Sequence, residues 1–166
     1  MTTTTDTPSN THDPRSLFAT AGITASDLIA TITPDELTIP TLCDAFDVDG
    51  LLGHLHNVMT RVVALAEDTD PMAVPDTVPT PPDGWHANWL RRMQHVADAW
   101  ADPAALDRTM TLPWASGPGS MLLSTYIGEL TVHTWDLGRR AGRRRTGGRE
   151  RALRRPDQPP VVPGPA

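Results

Sequence analysis

Apolar residues recur at helical spacing in four stretches of the chain, separated by segments rich in proline, glycine and aspartate. The first stretch opens at Pro14 and carries Leu17, Phe18, Ala21, Ala25, Leu28, Ile29 and Ile32 at i, i+3, i+4 intervals. That spacing predicts an amphipathic helix ended by Pro34. A loop with two prolines covers 34–46, and Asp47 is placed to cap a second helix that runs to about Glu67. Leu51, Leu52, Leu55, Val58, Met59, Val62, Val63 and Leu65 are its apolar members. Residues 68–83 hold five prolines and four aspartates and read as a long surface connection.

A third helix is predicted over about 84–101, with Trp85, Trp89, Met93, Val96 and Trp100 in one stripe that reads as core packing. Residues 103–119 are irregular, with a candidate short strand pair in 108–113. The fourth helix runs from about Pro118, a residue tolerated in a first turn, to Arg140, and Gly142 is a natural stop. Four amphipathic helices predict an all-α four-helix bundle over 14–142, and the two later links are long enough to allow crossovers. The Thr-rich residues 1–13 and the basic, proline-rich tail 143–166 lack apolar periodicity and are expected to be disordered.

Charge divides the chain. Residues 1–138 carry five arginines against eighteen acidic residues, a balance of −13, whereas 139–166 carry nine arginines against two, a balance of +7. The acidic body argues against nucleic acid as the main partner. Binding of nucleic acid or an acidic protein by the arginine-rich tail is a separate, weaker reading, because no aromatic residues interleave the run. Cys43 is the single cysteine, which rules out an intramolecular disulfide. The N-terminus lacks an apolar signal region and no apolar run is long enough for a bilayer, so a cytoplasmic protein is expected.

The chemistry lies on the fourth helix. At about 100° per residue, with Leu122 at zero, His133 falls near 20°, Tyr126 near 40°, Leu137 near 60°, Leu130 near 80° and Glu129 near 340°. Glu129 and His133 thus share the apolar face, one turn apart. A carboxylate there needs a partner, and the chain has no lysine to supply one. One divalent metal ion would satisfy both side chains. A Glu–His hydrogen bond, or an arginine such as Arg61, would satisfy Glu129 without metal. A third ligand should come from another helix, and the second helix offers His54 and His56. They sit on opposite shoulders of its apolar arc, and geometry does not choose between them. His12, His86 and His95 read as solvated. Asp136 reads as a surface carboxylate or an acceptor for a ligand histidine. Trp135 points away from the main face, towards the 103–117 segment. Cys43 reads as a small buried residue, and Arg61 and Arg91 as solvated or as contacts for an acidic thiol.

Two segments carry a resemblance. Residues 40–55 (PTLCDAFDVDGLLGHL) are similar to a Pro-x-x-Cys loop, an aromatic, a cap and Leu-Leu-x-His-Leu. Residues 129–142 (ELTVHTWDLGRRAG) are similar to Glu-Leu-x-x-His-x-Trp-Asp-Leu-Ala-x-Ala-x-Gly. Both patterns belong to the metal-binding helical domain of the mycothiol-dependent maleylpyruvate isomerase family, in the wider DinB-like bundle superfamily. The resemblance covers roughly 14–142. It implies a DinB-like fold, selects His54 over His56, and implies a His54–Glu129–His133 site, usually for zinc, with an open position for water or a thiol. It further implies mycothiol as co-substrate, an electrophilic small molecule as substrate, and isomerase or thiol-transferase chemistry. Phe46 stands where the family often has tryptophan. The family's full isomerases carry a further C-terminal domain that helps bind an acidic substrate, whereas this chain continues into its arginine- and proline-rich segment. A metal-binding module or truncated remnant without catalysis is therefore the alternative. Relatives of this bundle type often pair, so a homodimer is left open.

Overall fold

A computed structural model of the chain describes residues 13–140. The expectations for residues 1–12 and for the tail 143–166 lie outside these residues. The molecule is mostly helical with one two-stranded sheet. Its elements are α1 (Pro14–Ile29), α2 (Val48–Ala66), α3 (Trp85–Ala99), α4 (Ala104–Asp107), β1 (Thr109–Leu112), β2 (Ala115–Pro118) and α5 (Gly119–Gly138).

Asp13, expected to fall in the segment before the first helix, is its cap: its carboxylate accepts from Arg15 N at 2.9 Å. The first helix stops at Ile29, short of Ile32. The chain then turns so that Thr33 can cap a 3-10 turn over Pro34–Glu36, its N–H donating to Glu36 Oε2 at 3.0 Å. The segment 103–119, expected to be irregular with a candidate strand pair in 108–113, folds as α4 and the β1–β2 hairpin: β1 falls within 108–113, but its partner strand lies beyond it, with Thr109 opposite Pro118 and Leu112 opposite Ala115. Gly119 lets α5 start against it, since a Cβ there would sit 2.1 Å from the carbonyl oxygen of Ala105.

The long helices surround one core. Helix α1 packs on α3 and α5, and α2 packs on the same two helices. Helices α1 and α2 therefore stand at opposite corners, as do α3 and α5. The crossings fall on the first link and on the hairpin link, while the proline-rich link joins two side-by-side helices. The tryptophan stripe is core, as its spacing predicts. Trp89 Nε1 donates to the Gly22 carbonyl at 3.0 Å and Trp100 Nε1 to the Val62 carbonyl at 2.9 Å, so both indoles are buried with their polar atom satisfied.

In a chain without lysine, arginines close the ends of helices. Arg15 Nη1 donates to the Trp100 carbonyl at 3.0 Å beyond α3, Arg108 Nη2 to the Leu65 and Ala66 carbonyls at 2.9 and 2.6 Å at the end of α2, and Arg140 Nη1 to the Leu137 carbonyl at 3.0 Å in α5. Each places a cation on the negative end of a helix dipole. Among the described residues no helix is long and apolar enough to cross a membrane.

Candidate metal centre

The centre lies between α2 and α5, and the loop before α2 prepares one wall of it. Thr41 Oγ1 donates to the Phe46 carbonyl at 2.7 Å, and Asp47 Oδ1 accepts from Gly50 N at 2.9 Å as the cap of α2. This turn sets the Phe46 ring against the His54 imidazole, with centroids 5.2 Å apart and planes 24° off parallel. Beside His54, Gly53 lets the proline-rich link cross the helix, because a Cβ there would meet the Val78 carbonyl oxygen at 2.6 Å.

His54 faces α5, where Glu129 and His133 stand one turn apart. Glu129 Oε1 lies 3.2 Å from His54 Nε2 and 3.3 Å from His133 Nε2. The imidazoles meet edge to face at 4.9 Å. Ligand atoms of all three residues lie within 4.8 Å of one another. His133 Nδ1 donates to Asp136 Oδ2 at 3.2 Å. With that nitrogen protonated, the His133 Nε2 lone pair of the neutral ring points at a carboxylate oxygen. Only a proton or a cation between them makes that arrangement favourable. Two imidazoles and one carboxylate form a donor set that suits zinc, and the Asp136–His133 pair is the arrangement that orients a metal-bound histidine.

Charge reinforces the geometry. Hydrogen bonds from His133 first, and then from His54, hold the Glu129 carboxyl well below the usual carboxylate range. The bond to Glu129 in turn pushes the His133 imidazole up from 6.5, against the opposing effect of burial.

The structure corrects several expectations around this centre. Glu129 is at the rim of the face, with its side chain 44% exposed, because the α2–α5 seam opens to solvent there. Asp136 is buried, not a surface carboxylate, because its bond to His133 turns it inward. The signal for it was its place three residues after His133. Trp135 does not cover the 103–117 segment. It is 57% exposed, with the Arg139 guanidinium 5.5 Å from its ring centre. Arg61 turns to the proline-rich link, donating to Asp76 Oδ1 at 2.8 Å, and does not bond Glu129. Cys43 is half-buried. His86 is not fully solvated, since its Nε2 lies 3.1 Å from Ser26 Oγ, while His95 sits in the open beside Glu67. An apolar cavity of about 420 Å³ opens between α1 and α3, walled by Phe18, Met59, Met93 and Trp100 among others, but none of the three clustered residues lines it.

His56, the other histidine of α2, turns the opposite way and is buried against Trp85, with ring centres 6.4 Å apart. Burial first, and the positive charge of Arg92 second, push its imidazole below 6.5. Above that pH both folded and unfolded chains hold it neutral. Below it, the unfolded chain takes up a proton that the folded chain refuses, so acid costs stability by up to about 1.4 kcal/mol per pH unit until the folded site titrates. Urea unfolding at pH 7.5 and 5.5 should show a smaller acid loss for His56→Leu than for the wild type. Equal losses would remove His56 from the account.

Two uncharacterized proteins of Mycobacterium tuberculosis, one from strain CDC 1551 / Oshkosh and one from strain H37Rv, are each 26% identical to this chain over 115 residues. The aligned stretch is 69% of this chain and 60% of each relative, so the chain spans less than two thirds of their length. No solved structure matches. The sequence profile of the mycothiol maleylpyruvate isomerase N-terminal domain matches residues 18–138, which takes in all but the first turn of α1, the whole of α2, α3 and α5, the hairpin and the His–Glu–His cluster. By that match the chain belongs to the mycothiol maleylpyruvate isomerase N-terminal domain family.

Proposed function

We propose that this chain is a DinB-like four-helix bundle that holds one divalent ion, zinc by its donor set, through His54, Glu129 and His133, and that the centre activates a low-molecular-weight thiol, mycothiol by family, for isomerase or transferase chemistry. The observation that carries this reading is the convergence of two imidazole nitrogens on one carboxylate oxygen, at 3.2 and 3.3 Å, on a rim open to solvent. A zinc ion bound there would lower the pKa of a thiol or water at its open position.

The chain's own groups do the rest. Asp136 keeps the proton on His133 Nδ1, leaving Nε2 as a lone-pair donor. Glu129 supplies the negative charge that two neutral imidazoles lack. Phe46 fixes the plane of His54 and covers one side. The exposed flank of Glu129 is the way in for thiol and electrophile. A cytoplasmic location fits a chemistry that needs a reduced thiol.

Elemental mass spectrometry of the purified full chain should find about one zinc or similar ion per chain. With mycothiol added, the protein should then turn over maleylpyruvate or a related electrophile faster than the thiol alone. Retained metal with only background turnover would leave a metal-binding module. No metal, even after adding zinc, would overturn the centre.

A further inference from the structure

Helices α1 and α3 are tied together at two points and held apart between them. At one end Arg15 Nη1 donates to the Trp100 and Ala101 carbonyls at 3.0 and 3.2 Å. Further along, Trp89 Nε1 donates to the Gly22 carbonyl at 3.0 Å. Between these ties the seam carries Ala19 and Gly22 on α1 and Ala97 on α3, which are too small to fill it. A Cβ at Gly22 would already press on Met93 Cε, at 3.2 Å.

The gap is the apolar cavity of about 420 Å³, and its floor belongs to the core: Met59, Trp100 and Leu123 are each 2% exposed or less. Protein interiors pack closely, so a gap of this size is not an ordinary packing fault. An apolar cavity of about 150 Å³ can stay dry and take up benzene. This one, open on one side, has room for a larger molecule.

The chemistry of the wall selects the occupant. Among the described residues its one charged member is Arg15. That guanidinium is neutralised by Asp13, whose Oδ2 accepts from Nε at 3.0 Å and from Nη2 at 2.6 Å, while Nη1 holds the two carbonyls. The indole N–H of Trp100 is taken by the Val62 carbonyl at 2.9 Å, and Gln94 Nε2 by Asp98 Oδ1 at 2.9 Å. A charged ligand would lose its water there and find no free counter-charge. What the wall offers is the rings of Phe18 and Trp100 and the thioethers of Met59 and Met93, which make favourable contacts with aromatic rings and adapt to their shape.

We propose that the α1–α3 cavity is a binding site for a neutral aromatic molecule of two or three rings, held by apolar burial and not by charge. None of His54, Glu129 and His133 lines it, so the site is separate from the metal centre and does not rest on that reading.

The probe is N-phenyl-1-naphthylamine, a neutral three-ring compound whose fluorescence rises in apolar surroundings, titrated into the purified full chain. Binding should saturate at about one probe per chain and raise the Tm, because the ligand binds the folded state. Its sulfonated analogue, 8-anilinonaphthalene-1-sulfonate, should bind at least about tenfold more weakly, because the sulfonate meets no free cation. Ala97→Phe puts a ring into the mouth and should raise the Kd of the neutral probe at least about tenfold. Ala19→Phe does the same from α1 and serves if Ala97→Phe does not fold. Trp135→Ser removes an exposed ring on α5 and should leave the Kd unchanged.

Absence of saturable binding overturns the site. So does a wild-type Kd in folded Ala97→Phe and Ala19→Phe proteins. An analogue that binds as tightly as the neutral probe overturns the neutral class of ligand. Loss of binding in Trp135→Ser would put the probe on the outer face of α5 instead. The titration is repeated after chelation, with metal content measured in parallel. An unchanged Kd in metal-free protein supports the site whatever becomes of the metal reading. A Kd that rises when metal is removed would put the probe at the centre and overturn a separate site.

Discussion

Glu129→Gln and His133→Ala proteins should each leave purification with less than about a tenth of the zinc carried by the wild type, and zinc titration should place their affinities more than about 100-fold lower. A smaller loss is expected from Asp136→Asn, about 10- to 100-fold, because that change removes only the partner that orients His133. The ranking follows from the contacts. Glu129 Oε1 is shared by both imidazoles at 3.2 and 3.3 Å, so its replacement takes away the one negative charge at the point of convergence. Glu129→Gln keeps the shape of a side chain that is 44% exposed, and the fold should survive it. His133→Ala leaves the buried Asp136 without its donor and should cost about 1–3 kcal/mol of stability as well. Competition with a chromogenic chelator gives the affinities, and circular dichroism shows that each variant is folded. Wild-type affinity in all three variants would mean that the ion sits elsewhere.

Arg140→Met should destabilise the domain by about 3–5 kcal/mol and lower its Tm by more than about 10 °C. Counted by charge alone, Arg140 belongs to the basic tail. In the structure it is 1% exposed, and its guanidinium donates to Glu36 Oε1 from Nε at 3.1 Å and from Nη2 at 2.9 Å, and to Glu36 Oε2 at 3.1 Å. The pair ties the end of α5 to the 3-10 turn of the first crossing link, and Glu36 also serves the Thr33 cap. Removing the cation leaves that carboxylate largely buried without its strongest partner. Replacing both partners, as Arg140→Met with Glu36→Leu, should recover part of the loss, since no lone charge is then buried. The cap bond to Thr33 would still be missing. Thermal melts of the three proteins decide this. A single variant as stable as the wild type would refute a structural role for Arg140.

The apolar spacing of the chain was enough to find the four long helices, because each buries a continuous stripe and carries local punctuation at its ends. Asp47 and Pro14 mark two starts by bonding rules that act within three or four residues. The same locality explains why Glu129 and His133 could be paired in advance: four residues on one helix share a face whatever the rest of the fold does. The first helix was drawn too long for a related reason. Ile32 fits the apolar period, but the preference of Thr33 and Pro34 for a new cap is also local and prevails.

What the spacing could not decide is which neighbour covers each shoulder of a helix. His54 and His56 lie about 200° apart on α2, and a helical wheel treats the two shoulders alike. Helix α5 packs on one shoulder and brings Glu129 to His54, while α3 packs on the other and lays Trp85 against His56. Family resemblance pointed to His54, and the packing supplies the reason. Asp136, Arg140 and Arg61 follow the same logic. Each is a charged residue that the sequence places near a helix edge, and its partner lies on another segment or is reached only once that edge is covered. Local bonding rules wrote the helices and the Glu129–His133 pair into the sequence. The third member of the cluster, the buried Asp136 and the Arg140 lock exist only in the folded chain, because burial and charge pairing depend on which surfaces meet.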